Sequence, residues 1–216
     1  MGVVSGLSHP DARREIVAAG LRLDALRLVS GCDGNLSVRT PSGTLLVTPS
    51  GEPKGTLCVD QLVEVSLSDG QILGDGKPTS ELDLHLTVYR HRPDIHAVVH
   101  AHAPAAIAAS MQPDMRWDFA PEALESLRGV QGVDYSRPGT PELASGLIPY
   151  LSSNHCFLLA HHGTVTIGRT MAEALRRTEN LEHNAKVALL ALRAGCLPGL
   201  PDDELLAILA VSNRDE

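Results

Sequence analysis

Two histidines, His100 and His102, stand two positions apart after the largely apolar run Ile95–Val99. That run predicts a buried strand, and side chains on a strand alternate between its two faces. The two imidazoles therefore point the same way, with their Cα atoms roughly 6.5–7 Å apart. This spacing suits two ligands of one metal ion, because zinc–nitrogen bonds are about 2.0–2.1 Å long. Two packed or surface histidines are the alternative interpretation, so the pair needs further ligands to form a site.

A second apolar segment, Cys156–Ala160, also ends in two histidines, His161 and His162, and a glycine follows them. If the two apolar segments lie side by side in one sheet, one of these histidines joins the first pair. Three neutral imidazoles with one open position describe a catalytic zinc site rather than a structural one. The residues alone leave open which of the two histidines takes part.

Glu81 begins a predicted helix that runs to about Arg90. A carboxylate beside the open position of a metal site would transfer protons. A glutamate at a helix start also stabilises the helix dipole without any catalytic role, and both interpretations stay open. His85 lies one turn later on the same helical face, either as a support for Glu81 or as a packed helix histidine.

Hydrophobic periodicity predicts the elements that position these residues. Helices are predicted over 10–29, 81–90, 105–109, 141–151, 170–193 and from 201 onward, with Ser8 and Thr140 as N-caps. Strands are predicted within 32–39, 44–48, 62–67, 71–73, 95–102, 115–119, 130–135, 156–160 and 164–167. Hairpin turns are expected at 41–43 and 68–70. The mix indicates an α/β or α+β fold, with a mixed sheet covered by helices.

Length and composition favour one domain spanning residues 1–216 and exclude several functions. The net charge is −8 and aromatic residues make up 3% of the chain, which argues against nucleic-acid binding. No apolar run approaches the roughly 20 residues of a membrane helix, and Met1–Leu7 does not resemble a signal peptide. We therefore expect a cytoplasmic protein. Four scattered cysteines are expected to be reduced, buried and structural: Cys32, Cys58, Cys156 and Cys196.

Five short blocks together resemble the class II aldolase/adducin family, a family that includes sugar-phosphate aldolases and epimerases. They stand in the family's order and at similar spacing, and the resemblance extends from about residue 10 to residue 210. The blocks are Gly34–Ser37, Thr48–Gly51, Thr79–Glu81, His100–His102 and His162–Gly163. The resemblance implies a three-layer α/β/α fold around a central mixed, mostly antiparallel sheet.

The resemblance also implies roles for individual residues. His100, His102 and His162 would bind the metal, since the family's third ligand directly precedes a glycine, while His161 would face the other side of its strand. Zinc is the expected ion, with manganese and cobalt as alternatives, and Glu81 would be the acid/base. Six residues would form a phosphate pocket, although ordinary turn chemistry also explains the glycine-containing pairs among them: Gly34, Asn35, Ser50, Gly51, Thr79 and Ser80.

The activity implied is that of a zinc-dependent aldolase, a lyase acting on a small phosphorylated sugar or sugar acid through a metal-stabilised enediolate. The family commonly forms homotetramers. The family's epimerases carry aspartate at the position of Glu81, which favours an aldolase. Its ketose-phosphate aldolases carry a tyrosine after the alanine-rich helix, however, and Met115–Pro121 contains none.

Two other functions remain as alternatives. A sugar-phosphate epimerase or decarboxylase would use the same metal site with other proton-transferring residues. A non-catalytic, adducin-like association domain would keep the fold alone, but all three histidines and Glu81 are present. A cupin-type oxygenase also uses a His-x-His motif, and it is excluded because a helix rather than a further barrel strand follows His102.

Overall fold

The computed structural model describes residues 8–113, 115–127 and 129–212. The strands are β1 (Asn35–Arg39), β2 (Thr44–Val47), β3 (Val63–Ser66), β4 (Ala97–Ala101), β5 (Val130–Val133), β6 (Cys156–Leu159) and β7 (Gly163–Gly168). The helices are α1 (Pro10–Ala25), α2 (Leu82–His91), α3 (Pro104–Ala109), α4 (Pro121–Leu127), α5 (Pro141–Leu147), α6 (Met171–Arg193) and α7 (Asp202–Ser212). The expectation about a signal peptide concerns Met1–Leu7, which lies outside the described residues.

The seven strands form one mixed sheet in the order β3-β2-β1-β4-β7-β6-β5. Within the described sheet every pairing is antiparallel except that of β5 with β6. The predicted hairpin at 41–43 joins β1 to β2, and the central strand β4 pairs with β1 on one side and β7 on the other. His100 is opposite Asn35 of β1 and Val165 of β7. The middle of the sheet therefore carries the first histidine.

Helices cover both faces of the sheet and give it three layers. One core cluster packs α1, α3, α4 and α6 on one face and includes Ile16, Leu36, Val99, Ala106 and Leu181. The other packs α2 and α5 on the opposite face and includes Leu84, Val98, Leu143, Phe157 and Val165. Adjacent residues of β4 and of β6 enter different clusters, as strand alternation requires. The predicted three-layer α/β/α fold is confirmed.

Several element boundaries differ from the predictions. Helix α1 ends at Ala25 instead of continuing to about Val29, and Arg27 then adopts a positive φ of 57°. Ser8 does not cap α1, because its hydroxyl donates to Glu64 and His9 takes the N-cap position without a side-chain cap. Thr140 does take the predicted N-cap position of α5, but its side chain makes no capping bond there. That helix is also short, since a 3₁₀ turn replaces its predicted last residues.

The region between α3 and β5 departs furthest from the sequence pattern. Residues 115–119 form no strand, contrary to the prediction, and the helix α4 that follows was not predicted. The expected strand at 71–73 reduces to one bridge, between Val65 and Ile72. These segments carry the weakest hydrophobic patterns, so tertiary packing decides their conformation.

All four cysteines are free, but only Cys156 is buried. Burial raises the pKa of its thiol to about 12, which leaves it unreactive. The expectation of buried residues is wrong for Cys32, Cys58 and Cys196, which are exposed. None of the helices within the described ranges combines the length and the apolar character that a membrane span needs.

Candidate metal centre

The end of β4 presents two imidazoles to the α2 side of the sheet. His100 is fully buried, and its Nε2 lies 3.0 Å from Nε2 of His102, which follows directly after the strand. Nδ1 of His100 lies 2.9 Å from the carbonyl oxygen of Thr164 and donates to it. Because that carbonyl can only accept, Nδ1 carries a proton, and Nε2 is the ring nitrogen that faces the neighbouring histidine.

His162 reaches this pair from the turn between β6 and β7. The side-by-side arrangement of the two apolar segments that the sequence left open is not the one observed, because β7 lies between β4 and β6. Gly163 makes the approach feasible: a Cβ at this position would lie 2.4 Å from the carbonyl oxygen of Ala101. The ring of His162 lies 4.7 Å from that of His100 and 4.9 Å from that of His102. The structure thus brings three histidines together.

His161 takes a different position from the one that the strand pattern predicted. It lies in the turn with a positive φ of 59°, and its side chain is exposed. Its backbone N–H donates to the hydroxyl of Ser110, and its ring lies 6.2 Å from that of Tyr135. Of the two adjacent histidines, His162 alone joins the cluster.

Glu81 precedes α2 and extends its carboxylate into the same space. Oε2 lies 3.1 Å from Nε2 of His100, and Oε1 lies 3.5 Å from Nε2 of His162. One ligand atom from each of Glu81, His100, His102 and His162 lies within 4.8 Å of the others. We call these four residues the histidine–glutamate cluster.

The donor set of this cluster fits a divalent cation. Ligands of a tetrahedral zinc ion are about 3.3 Å apart, given bonds of about 2.0–2.1 Å, and the separations above are close to that value. Oε1 of Glu81 is buried without a hydrogen-bond partner. A buried polar atom left unpaired costs about 1–3 kcal/mol, and coordination to a cation would satisfy such an atom. Imidazole nitrogen and carboxylate oxygen are both common zinc ligands.

Burial and mutual charge set the protonation states that a cation requires. Burial lowers the pKa of His162 to about 4, and the neighbouring His100 adds to this effect. Burial also lowers the pKa of His102. Burial alone would raise the pKa of the Glu81 carboxyl, but the charge and hydrogen bond of His100 and the amide of Asn35 hold it well below its ordinary value. The carboxylate is therefore ionised at neutral pH.

The cluster opens onto a cavity of about 210 Å³. Glu81, His102 and His162 line the cavity together with all six residues predicted to bind phosphate: Gly34, Asn35, Ser50, Gly51, Thr79 and Ser80. The loops meet because Ser50 N–H donates to the Lys77 carbonyl and Thr79 N–H to that of Thr48. The structure thus places every predicted site residue except His100 on the wall of one cavity. His100 is buried and contacts the cavity-lining residues Glu81 and His102.

Asn35 and Gly34 occupy the wall nearest to β4. Gly34 has a φ of +70°, and a Cβ there would lie 2.8 Å from the His100 carbonyl oxygen, so only glycine fits. The side-chain amide of Asn35 donates to Oε2 of Glu81 at 2.8 Å. That amide group is therefore directed at the carboxylate.

Two residues near the cavity were missed by sequence reasoning. Lys54 is buried, and its ammonium group donates to the carbonyls of Cys32 and Glu52, which belong to the two loops on either side of the cavity. Asp33 places Oδ2 3.5 Å from Nδ1 of His102. The sequence could not identify Lys54 as a link between these loops, because it does not show that the two glycine-containing turns lie close together.

Comparison with known proteins places this geometry in a family. The model of the Class II Aldolase and Adducin N-terminal domain matches residues 14–189. The 3-oxo-tetronate 4-phosphate decarboxylase of Pectobacterium atrosepticum is 36% identical over 188 residues, covering 85% of this chain and 86% of that protein. The L-fuculose phosphate aldolase of Methanococcus vannielii is 37% identical over 161 residues, covering 74% of this chain and 86% of that protein.

Solved structures agree with the sequence comparison. YgbL from Escherichia coli superposes with a TM-score of 0.85 at 32% identity, covering 91% of this chain and 96% of that one. The l-fuculose-1-phosphate aldolase from Thermus thermophilus gives a TM-score of 0.76 at 31% identity, covering 88% of this chain and 98% of that one.

Proposed function

The chain belongs to the class II aldolase and adducin family, and from this premise we propose that it is a metal-dependent lyase. Its substrate would be a small phosphorylated sugar or sugar acid, cleaved at the bond between the α and β carbons of a carbonyl group. The relatives named above, a decarboxylase and an aldolase, are both lyases that act on phosphorylated compounds. The observation that carries the proposal is the histidine–glutamate cluster on the wall of a cavity that also holds the predicted phosphate residues.

We propose zinc as the ion, with manganese or cobalt as substitutes, and His100, His102 and His162 as its ligands. The three imidazoles present nitrogen donors, and the bond from His100 to Thr164 orients the most buried of them. A divalent ion bound there would supply Lewis-acid polarisation of a substrate carbonyl.

Glu81 is the residue that we propose moves the proton. Its Oε2 is held by the amide of Asn35 and lies beside His100, whereas Oε1 has no hydrogen-bond partner. The carboxylate is ionised at neutral pH and lies on the cavity wall. It can therefore accept a proton from a substrate hydroxyl in retro-aldol cleavage, or return one to the carbon that has lost its bond.

The rest of the cavity wall suits the phosphate group. Ser50, Thr79 and Ser80 offer hydroxyls and backbone N–H groups, and Gly51 lets an anion approach the backbone closely. Helix α2, ten residues long, begins directly after Glu81 and directs its positive end toward this wall. A net charge of −8 on the whole chain does not prevent such local anion binding.

Aldol cleavage and decarboxylation both fit this description, and they differ in the leaving group. Aldol cleavage releases an aldehyde and needs a proton removed from a hydroxyl, a task suited to Glu81. Decarboxylation releases carbon dioxide without removal of a hydroxyl proton, and the enediolate that remains then takes up a proton at carbon. Two observations favour decarboxylation as the second candidate: the 36% identity to a decarboxylase and the absence of tyrosine in Met115–Pro121.

A substrate panel separates the two candidates. Purified protein is loaded with zinc and incubated with phosphorylated ketoses and with phosphorylated 3-keto sugar acids, while released aldehyde and released carbon dioxide are measured separately. Metal-stripped protein is the control. Aldehyde release supports the aldolase, and carbon dioxide release supports the decarboxylase. Zinc binding without either product supports an association domain, and failure to bind zinc, cobalt or manganese would contradict the metal site.

We further propose that the chain forms a single domain, assembles as a homotetramer and works in the cytoplasm. The family resemblance supports the tetramer. Sedimentation at several protein concentrations tests it, and a species of one chain mass, 22.9 kDa, at all concentrations would contradict it.

A further inference from the structure

A line of buried hydrogen bonds leads from Glu81 into the interior, away from the cavity. The amide of Asn35 contacts Oε2 of Glu81, and Oδ1 of Asn35 lies 2.6 Å from Nε2 of His85. Nδ1 of His85 lies 2.6 Å from the hydroxyl of Ser37, which is 2.9 Å from the hydroxyl of Tyr89. All five residues are buried, and His85 is fully inaccessible to solvent.

Two regular elements build this line by their own periodicities. Asn35 and Ser37 are two positions apart on β1, so their side chains lie on one face of the strand. Glu81 at the N-cap of α2 and His85 and Tyr89 within it are spaced by four residues, so the three side chains lie along one side of the helix. Where the strand and the helix pack together, the hydrogen-bonded line passes alternately from a helix residue to a strand residue.

The chemistry of one end determines the direction of every bond. An ionised Glu81 can only accept, so Asn35 must turn its NH₂ group to the carboxylate and its oxygen to His85. Nε2 of His85 must then carry the proton, and Nδ1 must accept from Ser37. The Tyr89 hydroxyl donates at the far end, to Ser37 or to the carbonyls within its reach. Each buried donor meets an acceptor in this arrangement.

We propose that His85 is a positioning residue for Glu81. By donating from Nε2 to Oδ1 of Asn35, His85 holds the Asn35 amide in the one orientation that donates to Oε2 of Glu81. The carboxylate is then fixed with Oε1 toward His162. Without the His85 donor, the Asn35 side-chain amide can rotate by about 180° and place its oxygen next to the Glu81 carboxylate. The partial negative charge of that oxygen and the charge of the carboxylate then repel each other. The expected effect of His85 on catalysis rests on the proposed function, whereas the direction of the hydrogen bond from His85 to Asn35 does not.

Nitrogen-15 NMR of the histidine rings tests the bond direction without any enzyme assay. We expect His85 to be the neutral Nε2–H tautomer from pH 5 to pH 8, in the full-length protein with and without zinc. The His85→Gln spectrum assigns its resonances. An Nδ1–H tautomer, or a cationic ring in this range, would overturn the inference. Absence of turnover in the wild type would count only against the proposed function, because the tautomer is read independently.

Kinetics of matched variants test the positioning role. His85→Leu removes the donor and should lower kcat about 10- to 100-fold, the usual cost of losing such a supporting hydrogen bond, with KM changed less than about 3-fold. His85→Gln keeps an N–H that can reach Asn35 and should recover most of that loss. Val88→Ala on the same helix, fully buried but outside the line, should lower Tm and leave kcat unchanged. A purely structural role predicts instead that Gln fails to rescue kcat, or that Val88→Ala loses as much.

Discussion

The Nε2 atoms of His100 and His102 lie 3.0 Å apart, and the first of them is fully buried. The other ring nitrogen of His100, Nδ1, donates to the carbonyl of Thr164, so Nε2 is the nitrogen left to face His102. Two imidazoles in this relation are stabilised when they share a proton or, at neutral pH, a cation. We therefore expect cation binding at this site to need both histidines.

His102→Ala should abolish stoichiometric zinc binding while the protein stays folded. The residue follows β4 and is half-buried, so its loss removes a ligand without opening the core. Metal content after dialysis measures the effect, and circular dichroism verifies the fold. His183→Ala, an exposed histidine on α6, is the control and should retain the metal. One equivalent of zinc retained by His102→Ala would refute the ligand assignment.

Glu81→Gln should keep zinc and lose turnover by roughly 10²–10⁴-fold, the usual range for removing a general base. The substitution removes a charge while an oxygen remains available to the Asn35 amide. Steady-state kinetics on the substrate that the panel identifies, together with metal analysis, measure the two effects. Asp83→Asn, an exposed carboxylate in the first turn of α2, should change kcat little. Near-normal turnover of Glu81→Gln would remove this residue from proton transfer.

Acid should destabilise the metal-free protein partly through His85. Burial lowers the pKa of His85 to about 3, below an ordinary value near 6.5. The unfolded chain therefore binds more protons than the folded one between these values. The stabilising contribution is complete above about pH 6.5 and is lost as the pH falls toward 3.

The size of this effect is measurable by urea unfolding at pH 4, 5, 6 and 7. The free energy of unfolding should change with pH less steeply in His85→Gln than in wild type, by up to about 1.4 kcal/mol per pH unit between pH 6 and pH 4. His183→Gln, whose ring is exposed, should keep the wild-type slope. Equal slopes in wild type and His85→Gln would show that His85 does not stay neutral in the folded protein.

Lys54→Met should weaken binding of inorganic phosphate and lower stability by about 1–3 kcal/mol, because two carbonyl oxygens lose a buried donor. The Lys54 ammonium holds together the loops of Cys32 and Glu52, which flank the cavity. Isothermal calorimetry with phosphate measures the first effect, and urea unfolding the second. Lys186→Met, on the exposed side of α6, is the matched control. Unchanged phosphate affinity in Lys54→Met would show that this link does not shape the cavity.

Local patterns carried enough information to predict much of the fold and the membership of the site. Strand alternation placed His100 and His102 on one face, and a helix start placed Glu81, because both depend on neighbouring residues only. The family resemblance singled out His162 over His161, and the exposed position of His161 in its turn agrees with that choice. Short-range periodicity and the family resemblance together thus named the four residues of the histidine–glutamate cluster before any contact was known.

Local sequence patterns could not predict contacts between residues that are far apart in the chain. The sequence pattern suggested that β4 and β6 are neighbours, whereas β7 folds back between them, since strand order follows from sheet-wide packing. The partners of His85 lie 50 and 48 residues away, so periodicity left its role open. Helix α4 and residues 115–119 have weak patterns, and packing against the rest of the molecule decided their conformation.

The insertion of β7 beside β4 has a consequence for the order of events during synthesis. A growing chain that has reached only β4 carries two of the three imidazoles, which bind a cation weakly by themselves. The third arrives after some sixty further residues, and it comes to rest only when β7 completes the middle of the sheet. Coordination of one ion by all three rings would therefore have to follow the pairing of β4 with β7.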